Sequence, residues 1–137
     1  MPDRARESER PMEDDIRDVL SGDSRIEAIY LHGSALTGRL RPDSDIDIGL
    51  LTERGIDLDT KSRIHYSLEL ERRIGREIDL GVVSSRNLVY TAEVILRGNR
   101  IFARDRDRVE LTEATLLGMW VRFNEERQEV LNAYTAG

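Results

Sequence analysis

Cysteine is absent from the 137 residues, which excludes a disulfide framework and any thiolate metal site. Aromatic side chains make up only 5% of the chain, so its core must be built from aliphatic residues. No apolar run is long enough to span a bilayer, and the N-terminus lacks the apolar centre of a secretory signal. Lysine is nearly missing: Lys61 is the only one, and the remaining basic residues are arginines. Formal net charge is −6 with acids and bases interspersed, which argues against a general nucleic-acid binder, because phosphate backbones attract a continuous basic face. Together these features fit a cytoplasmic enzyme of one domain, a length that allows a single modest core.

What is present is organised. Residues 1–11 are charged and carry two of the three prolines, and they read as a flexible N-terminal arm before a domain at 12–137. Met12, Ile16, Val19 and Leu20 have helical spacing up to a Ser21-Gly22 turn. Arg25 to His32 (RIEAIYLH) reads as a buried strand. Asp45 to Leu51 (DIDIGLL) and Glu77 to Val83 (EIDLGVV) read as strands that alternate acid with aliphatic. Between them, Asp57 to Ile74 reads as an amphipathic helix with Leu58, Ile64, Leu68 and Ile74 inward and Gly75 as its stop. A helix over Asn87 to Leu96 closed by Gly98, a short edge strand at Arg100 to Ala103, and a long or broken helix from Asp105 to about Tyr134 complete the chain. The C-terminal stripe of Met119, Trp120 and Phe123 is expected to be mostly core, with part of it left for a partner because the helix is long. This order predicts an α+β or α/β fold, a short mixed sheet flanked by helices.

The strongest chemical signal is Gly33-Ser34 followed by Asp45-Ile46-Asp47. On a strand, residues i and i+2 share a face roughly 7 Å apart, so Asp45 and Asp47 offer their carboxylates to one small volume. Their mutual repulsion is relieved by a divalent cation, and hard oxygen ligands shared with phosphates select Mg²⁺ over zinc. Two ions about 3.5–4 Å apart can stabilise the attacking and leaving oxygens of an in-line displacement. Glycine allows the backbone to come close to a phosphate, and Ser34 adds a hydroxyl at a helix start. In the third strand Glu77 and Asp79 share a face; Asp79 lies deeper, where an acid without a role is costly to bury. His32 is expected as a strand-end histidine bonded to backbone, His65 as a surface or packing residue, and Tyr30, Tyr66, Tyr90 and Tyr134 as packing aromatics.

LHGSALTGRLRPDSDIDIGLL and EIDLGVV together resemble the minimal nucleotidyltransferase (MNT) family of the DNA polymerase β-like nucleotidyltransferase superfamily, and GNRIFARD (Gly98 to Asp105) resembles that family's helix, glycine and short-strand ending. The resemblance implies a polymerase β-like fold with Mg²⁺-dependent transfer of a nucleotide from a triphosphate. It implies that Gly33 and Ser34 hold the triphosphate and that Asp45, Asp47 and Asp79 bind metal, Asp79 also deprotonating the acceptor. Family members often carry a basic residue where Thr37 stands here, so a phosphate contact is either missing or replaced by Arg39 or Arg41. Many such proteins are antitoxins that use ATP to adenylylate a tyrosine of a HEPN-domain RNase toxin, and that is the expected function. Transfer to a small molecule such as an aminoglycoside is the enzymatic alternative, although the stretch after Asp79 is short for an acceptor-binding domain. Inhibition of the partner by occlusion alone is the non-enzymatic one.

Overall fold

A computed structural model describes residues 4–33, 45–54 and 56–135, with residues 4–11 described as backbone only. Its elements are α1 (Arg4–Leu20), β1 (Ile26–His32), β2 (Ile46–Thr52), α2 (Thr60–Ile74), β3 (Ile78–Val83), α3 (Leu88–Arg97), β4 (Asn99–Ala103) and α4 (Arg106–Thr135). The first helix begins at Arg4 rather than at Met12, so residues 4–11, read from the sequence as an arm, continue it. Arginine, alanine and glutamate in that stretch are good helix formers, and their propensity outweighs the charge pattern that suggested an arm.

The strands form one mixed sheet in the order β3-β2-β1-β4. β1 pairs antiparallel with both β2 and β4, whereas β2 and β3 are parallel. A parallel pair needs a crossover, and α2 supplies it. Side-chain alternation then divides the core between the two faces. Ile46, Ile48 and Leu50 of β2, with Ile78 and Leu80 of β3, join Ile16 and Leu20 of α1 and Leu70 of α2 on one face. On the other, Ala28, Tyr30, Leu51 and Val83 pack with Val94 of α3 and with Val109 and Leu116 of α4. Asp47, Gly49, Asp79 and Gly81 belong by alternation to this second face, at the end of the strands where β2 and β3 begin.

β1 does not alternate uniformly. Its register shifts between Ile26 and Ala28, a bulge that leaves Glu27 as the extra residue and puts Ile26 on the same face as Ile29 and Leu31. The second helix is capped at both ends: Asp59 accepts hydrogen bonds from the backbone N–H and the hydroxyl of Ser62, at 3.1 and 2.7 Å, and Gly75 closes the helix at φ 79°. Its inward face differs from the sequence reading. Leu70 is buried with Tyr66 and Ile74 against it, while Ile64 and Leu68 point to solvent. The spacing 66, 70, 74 is itself a helical stripe, and Arg63 and Leu70 rather than Ile64 face the sheet.

The last helix is continuous and is anchored only over its first half. Tyr30 donates its hydroxyl hydrogen to Glu113 at 2.8 Å, and Arg100 donates to the same carboxylate at 2.6 Å. Val109 and Leu116 are buried, but Met119 and Phe123 are 44% and 42% exposed and Val130 is 68% exposed. The expectation that the stripe is mostly core is therefore corrected for Met119 and Phe123, while Trp120 is half-buried. Beyond Leu116, Leu117 and Trp120 are half-buried, while Met119, Val121, Phe123, Val130 and Leu131 are exposed among the described residues.

Candidate active site

The end of β1 and the starts of β2 and β3 converge at one edge of the second sheet face. His32, the last residue of β1, stands opposite Asp47 of β2, and Asp47 stands opposite Asp79 of β3. Three residues distant in sequence are thus neighbours across three adjacent strands. The chain then turns at Gly33, where φ is +72°, a left-handed conformation that other L-residues rarely adopt. A Cβ at that position would overlap the Oδ2 atom of Asp47, so the absence of a side chain is what lets the turn lie against this carboxylate.

Asp47 is half-buried, and its carboxyl is pushed above the usual carboxylate range. Burial is the main cause; the charges of Asp79 and Asp45 add to it, and His32 acts in the opposite direction. Asp45, immediately before β2, is exposed. Its neighbour is Glu77, whose carboxyl is raised by a hydrogen bond with Asp45 and by that acid's charge. The backbone holds the two together, since the Ile46 N–H donates to the Glu77 carbonyl at 2.9 Å. Asp79 is exposed within β3, on the face the alternation predicts, while Glu77 precedes the strand.

Among the described residues, no group of three or more His, Cys, Asp or Glu side chains is closed tightly enough to form a metal cage. The engagement of Asp45 with Glu77 is consistent with that. The donor chemistry nevertheless fits Mg²⁺. Asp45, Asp47 and Asp79 offer only carboxylate oxygens, and the charges of Asp79 and Asp45 each act to raise the Asp47 carboxyl, a repulsion that a bound cation relieves. Ser34, Thr37, Arg39 and Arg41 lie outside the described residues.

Two further groups border the acids. Tyr90, projecting from α3, lies over Gly49 and Gly81, which face each other in register two residues along from Asp47 and Asp79. The Tyr90 hydroxyl shares a hydrogen bond of 3.1 Å with Nε2 of His32, and the two rings meet edge to face with centroids 5.5 Å apart. Among the described residues His32 thus bonds to a side chain rather than to the backbone partner the sequence led us to expect. Burial, with Asp79 and Asp47 contributing, pushes the Tyr90 hydroxyl up to about 12. The sequence held a signal for this arrangement: Asp47-Ile48-Gly49 and Asp79-Leu80-Gly81 repeat one Asp-x-Gly pattern, leaving two adjacent strands without side chains at matching positions.

A short mixed sheet with helices on both faces, and acids on neighbouring strands beside a glycine turn, defines a nucleotidyltransferase fold. Residues 14–107 match the family described as polymerase beta, nucleotidyltransferase, and the chain belongs to that family. It is similar to the protein adenylyltransferase MntA of Shewanella oneidensis, with 27% identity over 108 residues that cover 79% of this chain and 76% of that protein. Among solved structures, it is similar to a chain of a toxin–antitoxin complex with AMP-PNP at 26% identity and a TM-score of 0.75, covering 90% of this chain and 98% of that one. A complex of tri-AMPylated Shewanella oneidensis HEPN toxin with MNT antitoxin shares the fold, with 23% identity, a TM-score of 0.73, and coverage of 93% of this chain and 98% of that one. No described helix is long and apolar enough to cross a membrane.

Proposed function

We propose that the protein is an antitoxin that transfers AMP from ATP to a tyrosine of a cognate HEPN-domain toxin, and that it does so in the cytoplasm. The observation that carries the reading is the placement of Asp47 and Asp79 opposite one another, with the Gly33 turn lying against Asp47. The similarity to an adenylyltransferase and to a toxin-bound chain crystallised with an ATP analogue supports both the donor and the partner.

In this reading Asp45, Asp47 and Asp79 would hold two Mg²⁺ ions, which would lower the pKa of the acceptor hydroxyl and offset charge on the phosphates. Gly33 brings backbone close to the triphosphate, Ser34 adds a hydroxyl there, and Arg39 and Arg41 supply positive charge to the phosphates. Asp79 accepts the proton of the toxin's tyrosine. The phenolic oxygen bonds to the α-phosphorus as the bond from that phosphorus to the α–β bridging oxygen breaks. Pyrophosphate leaves with that bridging oxygen.

The test is incubation of the purified protein with its toxin partner, ATP and Mg²⁺, followed by intact-mass measurement of the toxin. An added adenylyl group with the wild type, and a loss of at least about a hundredfold in rate with Asp47→Asn or Asp79→Asn, is the expected result. Full transfer by both variants, or an unmodified toxin that is still inhibited by the wild type, overturns the reading. The second outcome identifies inhibition by occlusion.

A further inference from the structure

The proposed function leaves a conspicuous group without a role. Tyr90 carries a hydroxyl into a half-buried position beside the acids, although packing alone would be served as well by phenylalanine. Its slot depends on Gly81, where a Cβ would overlap the hydroxyl and the ring; a Cβ on Gly49 would strike Val94 first, at 2.9 Å, and would meet the hydroxyl oxygen only at the ordinary contact distance of 3.5 Å. The ring is therefore held on a bare patch of backbone that begins two residues beyond the acids.

From that seat the hydroxyl reaches His32 Nε2 at 3.1 Å. His32 lies between two elements of the candidate site. It is the register partner of Asp47, and it is the residue directly before the left-handed Gly33. Fixing its ring therefore constrains both the side chain opposite it and the turn that follows it. A histidine at the end of a strand can otherwise choose among rotamers, and each choice presents a different edge to Asp47.

We infer that Tyr90 is a positioning residue: its hydroxyl, seated on the Gly49–Gly81 pair, sets the orientation and tautomer of His32 and through it holds the Asp47 carboxylate and the Gly33 turn in place. The inference rests on the proposed reading for its consequence in catalysis, but its structural half stands by itself. Hydrogen bonding at one ring nitrogen determines which nitrogen carries the proton, so removing the hydroxyl has to alter the imidazole.

The experiment compares wild type, Tyr90→Phe, His32→Gln and His32→Leu at one fixed pH. The chain has only two histidines, His32 and His65, so the ¹⁵N imidazole spectrum of the full-length protein is assignable by a single substitution. Tyr90→Phe is expected to shift the His32 nitrogen signals and leave those of His65 in place. In the AMP-transfer assay it is expected to lower kcat about tenfold with KM for ATP within about twofold, as for a small misplacement of a reacting group. His32→Gln, which keeps a hydrogen-bonding nitrogen near the Nε2 position, is expected to retain more activity than His32→Leu. Unchanged His32 signals in Tyr90→Phe overturn the inference whether or not the protein transfers AMP. Changed signals with unchanged kcat overturn its catalytic half. A wild type that shows the coupling but no transfer sinks the proposed function and leaves the positioning of His32 standing.

Discussion

The hydroxyl of Tyr90 rests against the backbone of Gly81, so closely that a methyl group on that glycine has no room. Gly81→Ala is accordingly expected to destabilise the fold by about 1–3 kcal/mol, the usual range for overpacking. The same substitution in a Tyr90→Ala background is expected to cost almost nothing, since the atoms it would strike are gone. Denaturant unfolding of the two single variants and the double variant reads the coupling directly. Additive costs would mean that the glycine serves something other than the tyrosine.

Gly33 and Gly75 form a matched pair for a second prediction. Both have left-handed backbone, at φ 72° and 79°, but nothing lies within 4 Å of a Cβ at Gly75, whereas one at Gly33 overlaps the Asp47 carboxylate. Alanine at either site is expected to cost about 1–2 kcal/mol for the conformation alone. Only Gly33→Ala is expected to abolish AMP transfer, because only there does the added carbon displace an acid. Equal activity in the two variants would separate the turn from the chemistry.

Along α4, stability is expected to depend on position rather than residue type. Leu116→Ala removes a buried side chain and is expected to cost about 2–4 kcal/mol, while Val130→Ala, two heptads further on, is expected to stay within about 0.5 kcal/mol. Thermal or denaturant midpoints measured on the isolated protein distinguish them. A large loss at Val130 would show that the distal half of the helix is covered in solution.

Acid is expected to loosen the start of β1. Arg25 holds the Asp23 carboxyl far below its ordinary value of 3.8 through a hydrogen bond, and hydrogen bonds from Ser62 and then Arg25 lower Asp59 to about 2. A depressed carboxyl pKa stabilises the folded state above the unfolded value and loses that contribution as pH falls through the folded one. Wild type should therefore lose stability progressively below about pH 4. Arg25→Met, which removes the shared partner, should be less stable at neutral pH and converge on wild type in acid, as read from urea midpoints across that range.

Much of this fold could be read from the sequence because its strands carry strong local patterns. RIEAIYLH, DIDIGLL and EIDLGVV are strands within a residue or so of their expected bounds, and Gly75 ends its helix as a left-handed cap. Asp45, Asp47 and Asp79 could be singled out for the same reason, since strand alternation fixes which side chains share a face. What alternation cannot state is registry between strands: that Asp47 meets Asp79, and Gly49 meets Gly81, follows only from the parallel pairing. The His32–Tyr90 bond joins residues 58 apart in sequence, and the repeated Asp-x-Gly pattern marks the bare glycine positions without naming the tyrosine that lies over them. The misassigned faces have a simpler cause. Ile64 and Leu68 outrank Tyr66 in hydrophobicity but not in angular position, and Phe123 keeps helical phase with Leu116 yet is exposed.

The parallel pairing of β2 and β3 also dictates when the acids can first meet. Because the strands run the same way, the chain has to leave β2 at its far end, return along α2 and only then lay down β3. Such long-range closure is a slow step in folding, rewarded only at the end. A nascent polypeptide emerging as far as α2 holds Asp45 and Asp47 but not Asp79, so Asp47 gains its register partner only with the docking of the third strand.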